Sequence, residues 1–171
     1  ALFRSPNQVT RPLIGLRFPV LSSCSSCGVG TTGESQGLNY GLNISPDQVE
    51  RYKRHLLVKE LVCPGQQKLL NAHVLIIGAG ALGGVGAQIL AASGVGQLTI
   101  YDDDSVDLSN LQRQTQFTTD DVGVLKTKAL TERIARINPD VTVNSVSARW
   151  EQSCGLHGVD IIFDGSDNFA T

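Results

Sequence analysis

The sequence predicts an α/β protein, a Rossmann-like parallel sheet with flanking helices, and three observations carry that expectation. His73–Ile77 is a run of Val, Leu and Ile without polar alternation, as in a strand buried on both faces of a parallel sheet. It stops at Gly78, Gly80 and Gly83, a G-x-G-x-x-G that leads into a stretch of good helix formers, Leu82–Ser93. Nineteen residues past Gly83, a second strand, Gln97–Tyr101, ends at an acid, Asp102. Each part has a physical use. The glycines allow a tight turn and a close approach of backbone to phosphate, and the helix N-terminus offers free N–H groups to that anion. The acid can accept hydrogen bonds from a ribose hydroxyl.

Taken in order, residues 1–44 differ from the rest. Three Arg and no acid precede Glu34, and Ser, Gly and Thr crowd SSCSSCGVGTTGESQG, without helix or strand periodicity. The segment reads as disordered or leader-like, with the Arg-bearing, acid-poor composition of a transit peptide. Order begins at Ser45, where Ser45-Pro46-Asp47-Gln48 spells an N-cap, a Pro in the first turn and a capping box. Val49, Tyr52 and Leu56 form the expected buried stripe of that helix. Cys63-Pro64-Gly65 breaks the chain, and Gln66–Asn71 reads as a short helix before the first strand. Beyond the second strand, Thr119 is the expected cap of a turn, and Lys126–Asn138 a helix with Leu130, Ile134 and Ile137 on one face, ended by Pro139. Val141–Ser147 alternates like a third strand, Glu151–Gly158 is a loop or short helix, and Asp160–Asp164 is a fourth strand. The resulting alternation of strands and helices implies a parallel sheet with its sites at the carboxyl ends of the strands.

The loop after Asp102 separates two kinds of nucleotide. A dinucleotide site needs little beyond the ribose acid, yet here follow Ser109, Asn110, Leu111, Gln112, Arg113 and Gln114, and thirteen residues after Arg113 comes Lys126. A polar loop and two cations beside a phosphate cradle suit a triphosphate better than a pyrophosphate bridge. Composition narrows the partners. The net charge of −2 and the lack of a basic patch with interleaved aromatics argue against nucleic acid, and no apolar run spans a membrane. Four Cys, with a single C-x-x-C at Cys24 and Cys27, argue against a structural zinc site and a disulfide framework, and for a reducing, cytoplasmic compartment.

GAGALGG, YDDDSVDLSNLQRQ, DVGVLK and the late DGSDN resemble the MoeB/ThiF/HesA adenylyltransferases, relatives of the ubiquitin-activating enzymes, over about Ser45 to Thr171. The resemblance implies a ThiF-type adenylation domain over residues 45–171 and attack by the C-terminal Gly-Gly carboxylate of a ubiquitin-like sulfur-carrier protein on ATP. The products are an acyl-adenylate and pyrophosphate, in molybdopterin- or thiamine-type biosynthesis. It implies ATP and Mg²⁺ as cofactors, zinc only through ligands beyond residue 171, and a homodimer. Its roles carry over to matching positions: Gly78, Gly80, Ala81 and Gly83 in the phosphate turn, Asp102 at the ribose, and Ser109, Asn110, Arg113 and Lys126 toward the phosphates. Asp167 holds Mg²⁺, with Asn168 beside it, and Arg54 in RYKRH reaches the phosphates of the neighbouring subunit. Ala81 departs from the family's usual Gly.

An NAD-binding oxidoreductase module would explain the glycines and Asp102 but leaves SNLQRQ, Lys126 and GSDN without a use; a nucleotide-binding fragment without turnover is a third reading. The chain has no Met and stops four residues into what reads as the start of a helix, so the expectation is a C-terminally truncated piece. On that reading residues 1–171 alone bind ATP weakly, and the fourth strand presents an apolar edge.

Overall fold

The computed structural model describes residues 44–167. The readings made for the N-terminal segment, for Cys24 and Cys27 and for Asn168 fall outside them. The described elements run α1 (Pro46–Tyr52), a 3-10 turn (His55–Leu57), α2 (Cys63–Asn71), β1 (His73–Ile77), α3 (Ala81–Ser93), β2 (Gln97–Tyr101), α4 (Lys126–Ile137), β3 (Thr142–Val146) and β4 (Ile161–Asp164). The two central strands and their helices stand where the residue patterns put them.

Four parallel strands make one sheet in the order β3-β2-β1-β4. In register, Val74 pairs with Leu98 and Ile76 with Ile100, so these four side chains share one face. Ala87 and Ala91 of α3 and Ala129, Leu130 and Ile134 of α4 cover that face as one core. Ile76, Leu98, Ile100, Leu130 and Ile134 are fully buried, each contributing about 1.5–3 kcal/mol by removal from water. On β1 the opposite face is closed too, because Leu75 and Ile77 are also buried. The small residues of α3 bring it down onto the sheet: a Cβ at Gly86 would lie 2.9 Å from the Phe163 ring of β4.

Capping follows the sequence at Ser45, whose hydroxyl accepts from the Gln48 N–H while Gln48 accepts from Ser45 N–H. The helix it starts is short. Its stripe continues into the 3-10 turn, where Leu56 is buried with Tyr52 and Val49 only partly. Tyr52 is held because its hydroxyl accepts from Asn138 Nδ2 at 2.8 Å; the same nitrogen donates to the Ala91 carbonyl. Asn138 thereby ends α4 as a buried connector rather than as its last turn, and Ile137 is only partly buried. The turn near residue 119 is capped by Thr118, not Thr119: the Thr118 N–H and hydroxyl both donate to Asp121.

The link from β3 to β4 contains a 3-10 turn, Gln152–Cys154, within the stretch read as a loop or short helix. The break expected at Cys63-Pro64-Gly65 is corrected: these residues open α2, where Pro64 sits in the first turn and its missing N–H costs no helical hydrogen bond. Cys63, buried at the start of α2, is disulfide-bonded. β4 forms a sheet edge among the described strands and leaves Ile161 and Ile162 exposed.

Candidate nucleotide-binding site

The strand order reverses between β1 and β4, since β1 is followed outward by β2 and β3 on one side and by β4 on the other. Crevices at such a switch point, outside the carboxyl ends of the strands, are where open α/β sheets bind ligands. A cavity of about 980 Å³ lies there. Its wall includes Gly78, Gly80 and Ala81 after β1, Asp102 after β2, Ser109, Asn110 and Arg113 from the polar loop, Lys126 at the start of α4, and Asp167 after β4. Residues scattered over ninety positions are brought to one place. Arg54 is not among them; it is exposed in the turn after α1.

The phosphate turn is built by three glycine backbones. Gly78 takes φ +86°, a left-handed conformation that glycine adopts without penalty. A Cβ on Gly83 would lie 1.8 Å from the Gly78 oxygen, and one on Gly165 would lie 2.7 Å from the Gly83 nitrogen. Gly83 is thus buried in the joint between β1, α3 and β4, off the cavity wall, and its work is close packing. Gly80 caps α3 without a side-chain acceptor, which leaves the first N–H groups of the helix for a ligand. Ala81 opens the helix with a negative φ, so the methyl brings no backbone strain.

Two side chains fix this turn. Asp102 accepts from the Ala79 N–H at 2.7 Å and from the Asp104 N–H at 2.8 Å, one on each carboxylate oxygen. Each oxygen keeps a further lone pair, so a ribose hydroxyl can still donate to it. Gln116, 2% exposed, donates Nε2 to the carbonyls of Ala79 (3.1 Å) and Gly80 (2.9 Å). It takes up the acceptors of the turn, which then presents donors to an anion. No local pattern marked Gln116.

The polar loop is a capped 3-10 turn, Leu108–Asn110. Asp107 accepts from the Ser109 N–H at 2.7 Å and Asn110 Oδ1 from the Asp107 N–H at 3.2 Å. Hydrogen bonds from Ser109, its hydroxyl first and then its amide, hold the Asp107 carboxyl below the usual carboxylate range. With its oxygen so used, Asn110 has its amide nitrogen left to offer the cavity. Arg113 is exposed, and one guanidinium nitrogen donates to the Ser109 carbonyl at 3.2 Å.

Lys126 arrives by a route the sequence did not show. An antiparallel bridge between Ser105 and Leu125 ties the segment after β2 to the start of α4, and the Lys126 N–H donates to the Asp104 carbonyl. The side chain is buried, with Nζ 2.6 Å from Asp104 Oδ2. Lys126 is therefore no solvated surface charge. Asp103 is likewise paired, with Arg149 at 3.1 Å. Carboxylate oxygens of Asp102, Asp103 and Asp104 lie within 4.8 Å of one another, and each is already committed to the contacts above. Asp167 is exposed and, among the described residues, has no hydrogen bond or ion pair. Among the described carboxylates of the wall it is the uncommitted one.

Gln114, the last residue of the polar loop, is 4% exposed, and its Oε1 has no partner. Two wall residues were given no role by the sequence reading. Trp150 follows β3 with a buried Nε1 that also lacks a partner. Tyr101, at the end of β2, has its phenol pushed up, by burial first and then by Cys154.

The ThiF family model matches residues 52–171. The chain belongs to the ThiF family. Among curated ThiF-type relatives, it is 43% identical over 134 residues to the SAMP-activating enzyme E1 of Haloferax volcanii, with 76% of this chain and 49% of that protein covered. It is 43% identical over 124 residues to the sulfur carrier protein ThiS adenylyltransferase of Escherichia coli, covering 71% and 49%. To the molybdopterin-synthase adenylyltransferase of Salmonella typhimurium it is 38% identical over 128 residues, covering 73% and 51%. The chain spans about half the length of these relatives. Two solved structures, both with ATP, are similar. E. coli tRNA N6-threonylcarbamoyladenosine dehydratase TcdA matches with TM-score 0.67 and 28% identity over 73% of this chain and 52% of that one. E. coli MccB matches with TM-score 0.62 and 32% identity over 70% and 38%. The ThiF fold read from the glycines, Asp102 and SNLQRQ is the fold observed.

Proposed function

We propose that this ThiF-family chain carries the nucleotide site of an adenylyltransferase that activates the C-terminal Gly-Gly carboxylate of a ubiquitin-like sulfur-carrier protein with ATP. The carrying observation is the single cavity that joins the donor-rich turn at Gly80, the acid at Asp102 and the cations Arg113 and Lys126. The names of the relatives, which include a sulfur-carrier and a molybdopterin-synthase adenylyltransferase, support the choice of reaction.

The carboxylate is an anion attacking a polyanion, so charge screening and in-line geometry govern the rate. A bond forms from the carboxylate oxygen to the α-phosphorus as the bond from that phosphorus to the bridging oxygen breaks, and pyrophosphate leaves. No proton moves, because a carboxylate is ionised near neutral pH. Asp102 orients the ribose; the α3 N-terminus with Gly80 and Ala81 seats the phosphates; Asn110, Arg113 and Lys126 face them. Asp167 suits Mg²⁺, which favours one or two carboxylates together with substrate phosphates, and the ion would neutralise charge building on the leaving pyrophosphate. Asp167→Asn tests this: Mg²⁺ dependence of ATP binding should weaken with no change in melting temperature.

We further infer a homodimer in which Arg54 serves the partner's site, consistent with its exposure away from its own cavity. Mixing Arg54→Ala with Arg113→Ala protein should restore activity that neither has alone. No helix among the described residues is long and apolar enough to cross a membrane. A cytoplasmic location is our expectation from cysteine content; the disulfide at Cys63 runs against it, and the thiol count of native protein decides. Calorimetry with Mg-ATP and with NAD tests the main reading, followed by carrier-dependent pyrophosphate exchange. NAD bound as tightly as Mg-ATP would overturn it.

A further inference from the structure

The cavity has a wall that the proposed reaction leaves unused. Across the carboxyl edge of the sheet, β1 carries the phosphate turn, neighbouring β2 carries Asp102, and β3 lies next beyond β2. Parallel strands stand about 4.8 Å apart, so a nucleotide with its phosphates at Gly80 and its ribose at Asp102 reaches the β3 side with its base. The loop that leaves β3 places Trp150 there, on the cavity wall. Trp150 is partly exposed while its Nε1 is shut away from solvent without a hydrogen-bond partner. The part of the indole that borders the cavity is therefore carbon, a surface for stacking rather than for hydrogen bonding. With its one polar atom turned away from solvent, the ring offers the cavity no hydrogen-bonding group that would compete with stacking. Its neighbour Arg149 is fixed to Asp103 at 3.1 Å, which ties the start of this loop to the segment after β2.

We propose that Trp150 is the platform on which the nucleotide base stacks. The inference rests on the reading of this cavity as an ATP site. Stacking on an aromatic face is tolerant of base identity, so Trp150 provides affinity for a purine and leaves discrimination to other groups.

The chain contains one Trp, so its intrinsic emission reports this site alone. Saturating Mg-ATP should change that emission, whereas tripolyphosphate, which has no base, should bind without changing it. By calorimetry, Trp150→Ala should weaken ATP binding roughly 5- to 150-fold and leave tripolyphosphate binding unchanged. Trp150→Phe should keep most of the ATP affinity, since a smaller ring still stacks. The unchanged tripolyphosphate affinity also shows that the Ala variant is folded. Equal ATP affinity in Trp150→Ala and parent overturns the assignment and leaves the ATP reading standing; so does loss of both ligands in Trp150→Ala together with no change in the parent's emission on adding Mg-ATP. A parent protein that binds neither ATP nor tripolyphosphate overturns both.

Discussion

Gly83→Ala sets two effects of opposite sign against each other. Gly83 lies inside α3, where replacing Gly by Ala gains about 0.5–1 kcal/mol in helix propensity. The new Cβ, however, would stand 1.8 Å from the Gly78 oxygen, 3.0 Å from its carbon and 3.4 Å from Ile76 Cγ2. Roughly 1.6 Å of further separation is needed to reach ordinary contact. The opposing atom is backbone, and the turn has nowhere to retreat: a Cβ on Gly78 would itself meet the Gly165 oxygen at 3.1 Å. Overpacking of this kind costs about 1–3 kcal/mol, and the rigid partner places it at the upper end. The clash wins by about 2 kcal/mol, which corresponds to a fall of roughly 4–8 °C in melting temperature for a chain of this size. The turn that opens is the phosphate turn, so calorimetry should show ATP affinity falling with stability. Gly80→Ala is the control, because its Cβ would meet only Gln114 Nε2 at 4.0 Å, and it should melt near the parent. A Gly83→Ala protein that melts at or above the parent temperature with parental ATP affinity would refute the three-glycine joint.

Arg113→Ala and Lys126→Ala should each remove most carrier-dependent pyrophosphate exchange, on the order of 2.7–4 kcal/mol of barrier, with circular dichroism unchanged; near-parental exchange would make them structural charges. Gln116→Ala strips two hydrogen bonds from the turn carbonyls and should lower stability by about 1–3 kcal/mol in urea melts, with a matching loss of ATP affinity. The Asp164 carboxyl is held below its usual range by the Ser166 hydroxyl first and then its amide. A depressed folded-state value means that this contribution is complete above the ordinary carboxylate range, about pH 4, and is lost as pH falls through the lowered value. NMR titration should show Ser166→Ala returning Asp164 toward the ordinary range. Residues 1–171 alone should self-associate in sedimentation experiments through the exposed Ile161 and Ile162, and Ile161→Lys should reduce it.

The sequence by itself determined the elements whose signals are local. An unbroken apolar run marks β1, Ser45-Pro46-Asp47-Gln48 marks the start of α1, and the glycines and Asp102 mark the edge where ligands bind, because each rests on neighbouring residues or on backbone freedom. Only the tertiary structure decided what those residues touch. Lys126 reaches Asp104 through the bridge of Ser105 to Leu125, Gln116 crosses 36 residues to hold the Gly80 carbonyl, and Asn138 crosses 86 to hold Tyr52. Gly83, read as a phosphate glycine, is a spacer between strand and helix. Trp150 enters the cavity because β3 lies beside β2. Strand order and the seating of helices on one face fix these distances, and neither leaves a trace in a window of ten residues.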